Sequence, residues 1–319
     1  MKVSIIILNW NGGEVDCIEA IESAMAQSYA NKELIFVDNG SSDGSGLTVQ
    51  QRYPDITYIS LEKNIGCPPG RNVGAHQAKG DLLFFLENDG VWDNPELISD
   101  AVDLFTKHQK LGAVYTRVEG YETGSIDSPL DPLPSKDTYN GLYLSSSFRG
   151  GASIIRAELF ADCGGFPSDF FRQCEERFLS LLIYDRGYKV AYWPVYSLRH
   201  KGSDYVGKAA AVSSFNVENN LKTILRLYPF LPAITIGLSK WIVSMVGLFR
   251  AELSNKIVPI TSSLIKELFV ENRFRRVSNA TFCLVETLRQ GRASSTDIDS
   301  EASDRTLLSL IFSRLFLGK

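Results

Sequence analysis

Two carboxylates, Glu87 and Asp89, lie two positions apart directly after the apolar run Leu82–Leu86. Side chains at this spacing can approach one hard divalent cation, because Mg²⁺ and Mn²⁺ prefer oxygen ligands and are often shared with substrate phosphates. Most pairs of acids at this spacing lie on the solvated surface of a protein. The position of this pair at the end of a buried run is what favours a metal site. The sequence therefore predicts a Mg²⁺ or Mn²⁺ site at Glu87 and Asp89.

Polar, turn-rich segments follow three of the apolar runs, namely Asn9–Gly12, Asp38–Gly44 and Glu87–Gly90. Asp, Asn and Gly make good turns wherever they occur, so one such segment would carry little weight. In a doubly wound sheet, however, ligands bind where the strands end at their carboxyl edge. Three such segments at successive strand ends predict one shared cleft, in which Asp38 can accept a hydrogen bond from the imide N–H of uracil or thymine, or from a ribose hydroxyl.

The elements that would position these residues alternate between strand and helix. The near-continuous apolar runs typical of covered strands are Val3–Leu8, Leu34–Val37, Ile56–Leu61 and Leu82–Leu86. Helical patterns lie between them, at Val15–Met25 and Arg71–Lys79, and Asn94 with Pro95 opens another helix as N-cap and first-turn residue. The alternation predicts an α/β domain with a mostly parallel sheet. GxGxxG does not follow the first strand, which argues against a dinucleotide-binding domain.

A long segment, 119–147, rich in Gly, Pro, Asp and Ser, interrupts this pattern. Loops of such length are commonly lids or binding loops. Beyond it we predict a strand at Gly151–Arg156, a helix at Glu175–Arg186 that ends at Gly187, and a short strand at Val190–Trp193.

Composition narrows the classes of function. The chain has 319 residues, with 33 Lys and Arg against 37 Asp and Glu, so its net charge of −4 offers no global basic field for nucleic acid. Its five cysteines are scattered without a CxxC pair, which disfavours a disulfide framework or zinc knuckle and fits a reducing compartment. The first apolar run is too short for a signal peptide. We therefore expect a cytoplasmic protein that does not bind nucleic acid.

The chain changes character at Pro229. The segment Pro229–Phe249 is about long enough to span a bilayer, but it carries Lys240 near its centre. A helix lying in the membrane interface, or a packed helical hairpin, is therefore favoured over a span. A basic cluster suited to anionic lipid follows, made of Arg273, Arg275 and Arg276. The alternative is an intramolecular or dimerising helical subdomain.

Five segments of the chain, in their order, resemble family 2 glycosyltransferases of the inverting GT-A type: VSIIILNWNG, ELIFVDNGSSDGS, NIGCPPGRNVGAHQAKGDLLFFLENDG, FRGGASIIRAELFADCGGF and CEERFLSLLIYDRGYKV. They extend from Val3 to about His200. The rhamnosyltransferase-like branch is the most similar, because it commonly carries a stretch like Asn219-Asn220-Leu221-Lys222 and a hydrophobic C-terminus.

The resemblance implies a GT-A, Rossmann-like α/β domain in residues 1–228, with nucleotide-sugar binding in 1–118 and the acceptor side in 119–228. We expect a helical, membrane-associated extension in 229–289. Residues 290–319 are predicted to be a flexible linker followed by an apolar and basic tail.

The resemblance also implies roles in the donor site. Asp38 corresponds to the acid that contacts the nucleotide base, Glu87 and Asp89 to the DxD metal motif, and His200 to a histidine that ligates the metal or contacts the diphosphate. Arg71 falls on a donor-site arginine, and its guanidinium can either meet a diphosphate or brace the carboxylates. Five amide side chains complete the predicted donor site: Asn9, Asn11, Asn39, Asn72 and Asn88.

Glu175 and Glu176 fall on the family's Glu-Asp pair, whose second acid is the general base. We assign the base to Glu176, with Glu175 as second choice. Both stand at a helix N-terminus, where the helix dipole is expected to keep a carboxylate ionised; a helix-terminal charge without catalytic role is the competing interpretation. Phe178 and Leu182 stand where the family often has an acid and an arginine, so the acceptor side departs from the pattern.

These features predict an inverting glycosyltransferase that moves a sugar from a UDP- or dTDP-sugar to a hydroxyl of a glycan or lipid-linked acceptor. The expected setting is cell-surface polysaccharide or glycolipid synthesis on the inner face of the cell membrane. One alternative is an inactive relative that binds nucleotide or glycan as a scaffold. Another is a sugar nucleotidyltransferase, which needs a glycine-rich basic loop after the first strand, and Asn9–Asp16 contains neither Lys nor Arg. The sugar and the oligomeric state stay open.

Overall fold

The computed structural model describes residues 1–125, 142–202, 214–250, 253–269 and 275–289. Three sequence predictions lie wholly or partly outside these ranges: the central part of the 119–147 loop, Arg273 of the basic cluster, and the linker and tail at 290–319.

Strands and helices alternate in the first half of the chain, and helices alone follow the last strand in the described residues. The strands are β1 (Val3–Asn9), β2 (Lys32–Asp38), β3 (Thr57–Ser60), β4 (Leu82–Glu87), β5 (Gly90–Trp92), β6 (Leu111–Gly120), β7 (Tyr143–Leu144), β8 (Ala152–Arg156) and β9 (Lys189–His200). The helices are α1 (Glu14–Met25), α2 (Ser45–Arg52), α3 (Cys67–Gln77), α4 (Leu97–Lys107), α5 (Ala157–Cys163), α6 (Glu175–Asp185), α7 (Ser214–Leu227), α8 (Phe230–Arg250), α9 (Ile257–Glu267) and α10 (Asn279–Arg289).

One mixed sheet joins the described strands in the order β3-β2-β1-β4-β8-β6-β9-β5, with β7 beside β9. The first four strands in this order are parallel to one another, and so are β6 and β9. β8 runs antiparallel to β4 and β6, and β5 and β7 run antiparallel to β9. The predicted α/β fold is confirmed, with its parallel character concentrated in the N-terminal strands.

The register of the parallel strands brings their polar ends together. β1 lies between β2 and β4, and it pairs Asn9 with Asp38 and Leu8 with Glu87. Consecutive residues of β1 and β4 are buried, so both faces of these strands are covered. This explains why the two strands appear in the sequence as continuous apolar runs.

Two helices begin at other residues than predicted. α3 begins at Cys67, before Arg71, because prolines at its first positions suit a turn whose N–H groups have no intrahelical partner. α4 begins at Leu97, after the predicted Asn94 cap, because the Asn94 side chain accepts a hydrogen bond from the backbone N–H of Glu96 and closes a separate turn.

The last strand, β9, is longer than the predicted Val190–Trp193. It continues past Trp193 to His200 through a break in its register with β6. This extension carries His200 to the edge of the sheet, where it pairs with Gly90 of β5.

The C-terminal helices pack around two cores, and α7 and α8 also place Ile224 and Ile236 in the main core of the α/β domain. α7, α8 and α9 share a small core made of Val217, Leu221, Met245, Leu248, Ile260 and Leu264. α10 packs instead against α6, and its Phe282 and Val285 are part of the main core. The last helix of the predicted extension 229–289 thus packs on the α/β domain.

Arg177 on α6 connects several of these helices. Its guanidinium donates hydrogen bonds to the side chains of Asn220 (2.6 Å), Tyr228 and Glu286 (3.4 Å). The helix that carries the predicted base thus has partners on α7, at the end of α7 and on α10.

Candidate active site

The three predicted metal ligands meet at one end of the sheet. Glu87 ends β4, Asp89 lies in the turn to β5, and His200 ends β9. The His200 Nε2 atom lies 3.1 Å from a Glu87 carboxylate oxygen and 3.3 Å from an Asp89 carboxylate oxygen. One ligand atom from each residue lies within 4.8 Å of the others. Residues 113 positions apart in the chain are thus brought into one cluster.

The charges of this metal cluster stabilise one another. Burial alone would raise the pKa of Glu87, but the hydrogen bond from His200 and the charge of Arg71 outweigh it and lower that pKa to about 2. Burial alone would lower the pKa of His200, but Asp89 and Glu87 raise it to about 10. In the metal-free protein the positive imidazolium therefore lies between two carboxylates, and a bound cation would take the place of its Nε2 proton. Two carboxylate oxygens and one imidazole nitrogen are a donor set that fits Mn²⁺ or Mg²⁺.

Arg71 joins the metal cluster to Glu175, the neighbour of the predicted base. Its side chain is only 3% exposed, and it contacts Glu87 through Nη2 at 3.0 Å and Glu175 through Nη1 at 3.3 Å. Of the two roles considered for this residue, bracing the carboxylates is the one that its contacts serve. Burial alone would lower the pKa of the guanidinium, but the nearby charges, among them Glu87 and Glu175, raise it. Arg71 therefore stays charged.

Replacing Arg71 with methionine is expected to destabilise the fold by about 1.5–3 kcal/mol, because the hydrogen bonds from its buried guanidinium to Glu87 and Glu175 would be lost. The matched control is Arg52→Met, which breaks the exposed 2.9 Å ion pair with Glu22, both side chains being more than half exposed. That control is expected to cost less than about 1 kcal/mol. Urea unfolding of both variants measures the difference, and equal losses would contradict a buried bridging role for Arg71.

Glu175 and Glu176 begin α6 beside this bridge. Glu175 is 3% exposed, whereas Glu176 is half-buried and accepts a hydrogen bond from the backbone N–H of Gly150 at 3.2 Å. Burial raises the pKa of both acids, and for Glu175 the neighbouring Glu176 charge raises it further, to about 8, against the opposing effect of Arg71. Desolvation and like charge therefore oppose the helix dipole that was expected to keep the acids ionised, and at Glu175 they outweigh it.

The raised pKa of Glu175 should make the free energy of unfolding of the metal-free protein depend on pH. The folded state keeps the Glu175 proton up to about pH 8, whereas the unfolded chain releases it near its ordinary pKa of 4.5. Between these values the folded state binds more protons, so its stability should fall as pH rises, by at most about 1.4 kcal/mol per pH unit. Glu175→Gln should flatten this slope in urea unfolding at several pH values with a chelator present. Parallel slopes for the two proteins would contradict the shift.

A hollow of about 480 Å³ adjoins Asp38 at the end of β2. Its lining includes Asp38, Ser41, Gln50, Tyr58 and Ser60. Asp38 is 5% exposed, accepts a hydrogen bond from the Ser41 N–H at 3.2 Å, and accepts another from the Tyr58 hydroxyl at 3.3 Å. A pocket with a carboxylate at its base and an aromatic wall suits a nucleoside. Tyr58 was missed by the sequence analysis, although the strand that carries it was predicted.

Asp38 and Glu87 lie on the same edge of the sheet. Their strands flank β1, so the two residues are two strand spacings apart, about 10 Å. The loops above β1 and β4 also touch, because a Cβ on Gly12 would collide with the Asn88 side chain. The Asp38 pocket and the metal cluster therefore lie along the same edge of the sheet.

Three of the predicted donor-site amides hold the protein's own loops. Asn9 is fully buried and donates to Asp38 (3.4 Å) and Ser45 (2.9 Å). Asn39 donates to the Gly66 carbonyl, and Asn72 exchanges two hydrogen bonds with the backbone of Phe166.

The remaining two amides lie nearer the surface of the cleft. Asn11 has a left-handed backbone with φ of 51°, and its side chain accepts the Ser42 N–H at 2.8 Å. Asn88 lies between the metal ligands in the chain, against Gly12. Asn11 and Asn88 therefore remain the amides of the predicted set that are placed for a donor, whereas Asn9, Asn39 and Asn72 shape its surroundings.

Gly150 and Gly151 are site residues that the sequence analysis did not single out. A Cβ on Gly150 would lie 2.4 Å from an Arg71 nitrogen and 2.9 Å from a Glu176 oxygen, and one on Gly151 would collide with Glu87. Only a backbone without side chains can approach the bridge so closely. The signal was present in the segment FRGGAS, whose double glycine precedes a buried strand.

Comparisons with known proteins identify the family of the chain. The sequence model of Glycosyl transferase family 2 matches residues 4–164, about half of the chain. An uncharacterized glycosyltransferase of Nostoc sp. is 31% identical over 118 residues, which are 36% of this chain and 36% of the relative. Another, from Haemophilus influenzae, is 29% identical over 173 residues, 52% of this chain and 56% of the relative. The matched part thus spans between about a third and just over half of these relatives' length.

Solved structures share the fold at low sequence identity. S. aureus TarS 1–349 in complex with UDP-GlcNAc superposes with a TM-score of 0.61 at 17% identity, over 99% of this chain and 92% of that one. GalNAc-T7 with UDP, GalNAc and Mn²⁺ superposes with a TM-score of 0.58 at 17% identity, over 72% of this chain and 48% of that one. The fold is therefore that of GT-A glycosyltransferases.

Proposed function

Because this chain belongs to glycosyl transferase family 2, we propose that it transfers a sugar from a nucleoside-diphosphate donor to a hydroxyl of a glycan or lipid-linked acceptor. The observation that carries the proposal is the bridge made by Arg71, which links Glu87 of the metal cluster to Glu175 beside the base. A donor whose nucleoside lies at Asp38 would direct its diphosphate along the sheet edge toward that bridge. Cell-surface polysaccharide or glycolipid synthesis is the proposed setting.

The chemistry follows from the positions of the acids. The acceptor oxygen forms a bond to C1 of the sugar while the bond from C1 to the diphosphate oxygen breaks, which inverts the configuration at C1. Glu176 takes the proton of the acceptor hydroxyl, because it is half-buried and Glu175 is held by Arg71. A divalent cation held by Glu87, Asp89 and His200 would stabilise the charge that develops on the diphosphate.

The nucleotide is proposed to be UDP. The carboxylate of Asp38 can accept the imide N–H that uracil and thymine share, so the pocket favours a pyrimidine without choosing between them. Two structural neighbours were solved with UDP-GlcNAc and with UDP, which supports uracil. The sugar itself is not specified by these features.

A thermal-shift panel tests the proposal. UDP-, dTDP- and GDP-sugars are added with and without Mn²⁺, and a ligand that binds only the folded state raises the melting temperature. We expect stabilisation by UDP-sugars that depends on Mn²⁺, together with slow release of UDP from one of them. Binding without any turnover, with acceptor mixtures present, would favour the inactive scaffold. No shift with any nucleotide would count against the family's activity in this chain.

The outer face of α8 supports a location at a membrane. Its exposed side chains form one apolar stripe at spacings of three and four residues: Leu231, Ile234, Leu238, Ile242, Val246 and Phe249. Among the described residues, α8 is also the helix whose length and composition would suffice to cross a membrane, with 33% of its most apolar window buried. Apolar side chains of α9 are exposed too, with Phe269 just beyond that helix at 81%.

The charges around this face are basic. Within 230–250 and 253–269 the exposed charged residues are Lys240, Arg250, Lys256 and Lys266. The acid in these ranges, Glu267, is buried and contacts Arg226 at 2.8 Å. An apolar stripe with a basic border matches the interface of an anionic bilayer, so we place the protein peripherally on the cytoplasmic leaflet with α8 lying in the interface.

Vesicle binding tests this location. The protein should sediment with vesicles that contain phosphatidylglycerol, and less with phosphatidylcholine alone or at raised salt. Ile242→Glu should weaken binding about tenfold or more, because an aliphatic side chain that would enter the bilayer is replaced by a charged one. The matched control is Met25→Glu, on α1, where the replaced side chain is 52% exposed against 50% for Ile242. Equal binding by all three proteins would refute a membrane face on α8, and resistance to alkaline extraction would refute a peripheral position.

A further inference from the structure

The turn that leads into α6 has an unfavourable backbone conformation. Gln173 and Cys174 have φ values of 72° and 71°, in the left-handed region that residues with a Cβ rarely adopt. Glu175 and Glu176 follow at once, so this turn determines where α6 begins and where the Glu176 carboxylate lies. Such a conformation persists only when surrounding contacts hold it in place.

Asn219 on α7 supplies contacts of this kind. Its side chain is 2% exposed, and its amide nitrogen donates to the backbone carbonyls of Arg172 at 2.9 Å and Gln173 at 3.0 Å. Both N–H groups of one amide are therefore used on the two carbonyls at the start of the left-handed pair. The neighbouring Asn220 donates to the Cys174 sulfur at 3.1 Å and accepts from Arg177 at 2.6 Å.

A second contact fixes the other end of the same loop to α7. Arg226, two turns beyond Asn219, donates to the two carboxylate oxygens of Asp169 at 2.9 and 2.6 Å. It also donates to Glu267 of α9 at 2.8 Å. The loop from Asp169 to Cys174 is thus anchored to one helix at both of its ends, and α7 is anchored in turn to α9.

We infer that Asn219 is a positioning residue for catalysis, which holds the left-handed turn before α6 and so places the Glu176 carboxylate against the acceptor hydroxyl. Asn219 acts through the backbone and does not touch substrate. The inference rests on the proposed function of Glu176 as base. It gives a role to Asn219 in the Asn219-Asn220 stretch, which was noted above only for its resemblance to one branch of the family.

The test measures kcat, the donor KM and amide hydrogen exchange for Asn219→Ala. We expect kcat to fall about 10- to 100-fold, the cost of a small misplacement of a reacting group, while the donor KM stays within about twofold. Exchange at residues 175–178 should become faster. Thr223→Val is the control, because it removes a buried hydrogen bond within α7, from the Thr223 hydroxyl to the Asn219 carbonyl at 2.7 Å, without touching the turn. It should lower the melting temperature and leave kcat unchanged.

A background with glycine at the two left-handed positions provides the decisive comparison. In a Gln173→Gly, Cys174→Gly background the turn no longer needs an external support, so adding Asn219→Ala should lower kcat less than about threefold. The same large loss in that background, or a normal kcat for Asn219→Ala alone, would overturn the inference. If the wild-type chain turns over no donor, the proposed function fails, and the exchange measurement at 175–178 still decides whether Asn219 holds the turn.

Discussion

Replacing Asp89 with alanine is expected to lower sugar transfer about 10³-fold and to remove the Mn²⁺-dependent part of the thermal shift. Asp89 supplies one of the three ligand atoms that lie within 4.8 Å of one another, and it is not shared with Arg71 as Glu87 is. Without it the cluster retains one imidazole and one carboxylate that is already paired with Arg71, so a divalent cation would be held less firmly against a diphosphate. A loss of several kcal/mol of transition-state stabilisation corresponds to this decrease in rate.

Asp93→Ala is the matched control for Asp89. Asp93 follows β5 in the chain, is more than half exposed, and forms an ion pair with Arg199 at 3.4 Å, so the same acid is removed close by in the sequence and outside the cluster. Its transfer rate and Mn²⁺ response should equal those of the wild type. Transfer rates at saturating donor over a Mn²⁺ titration give the comparison, and a normal Mn²⁺ response in Asp89→Ala would reject the metal site.

Replacing Glu176 with glutamine is expected to abolish most transfer while leaving donor binding intact. The amide keeps the size of the side chain and can still face the Gly150 backbone, but it cannot take a proton from the acceptor. A general base contributes roughly 10²–10⁴-fold, and we expect a loss of that size in kcat. The thermal shift with UDP-sugar and Mn²⁺ should match that of the wild type, because the metal cluster and the nucleoside pocket are unchanged.

Glu158→Gln separates this role from that of an ordinary helix-terminal charge. Glu158 is the second residue of α5, as Glu176 is of α6, and it is exposed. Both variants remove one acid from the first turn of a helix, so a purely electrostatic effect on the helix would appear in each. Retained turnover in Glu176→Gln together with its loss in Glu175→Gln would move the base to Glu175.

The sequence predicted the N-terminal strands and the polar edge of the sheet because both depend on local patterns. Buried parallel strands appear as continuous apolar runs, and the residues that end them must turn, so Asp38, Glu87 and Asp89 stand out directly. His200 required the family resemblance, since its strand passes a proline and a break in register before reaching the metal cluster. The mixed direction of the later strands was missed because pairing is set by contacts distant in the chain.

The direction of polar side chains was the least predictable part of the site. Asn9 and Asn11 are two residues apart, yet one is fully buried and the other is exposed. Residue type alone does not indicate whether an amide side chain will bind a ligand or a loop of the protein itself. The same holds for Glu175 and Glu176, where the helix position suggested ionised acids and tertiary burial raised the pKa of both.

The partners of Arg177 have a consequence for how the protein is made. This residue directly follows Glu176, but Glu286 is 109 residues further along the chain. A ribosome adding roughly 5–20 residues each second needs about 5–20 s to reach that point. Until then the newly made α6 holds a cation whose anionic partner has not been translated. The contacts that hold α6 are therefore complete only late in synthesis, after the sheet has had time to form.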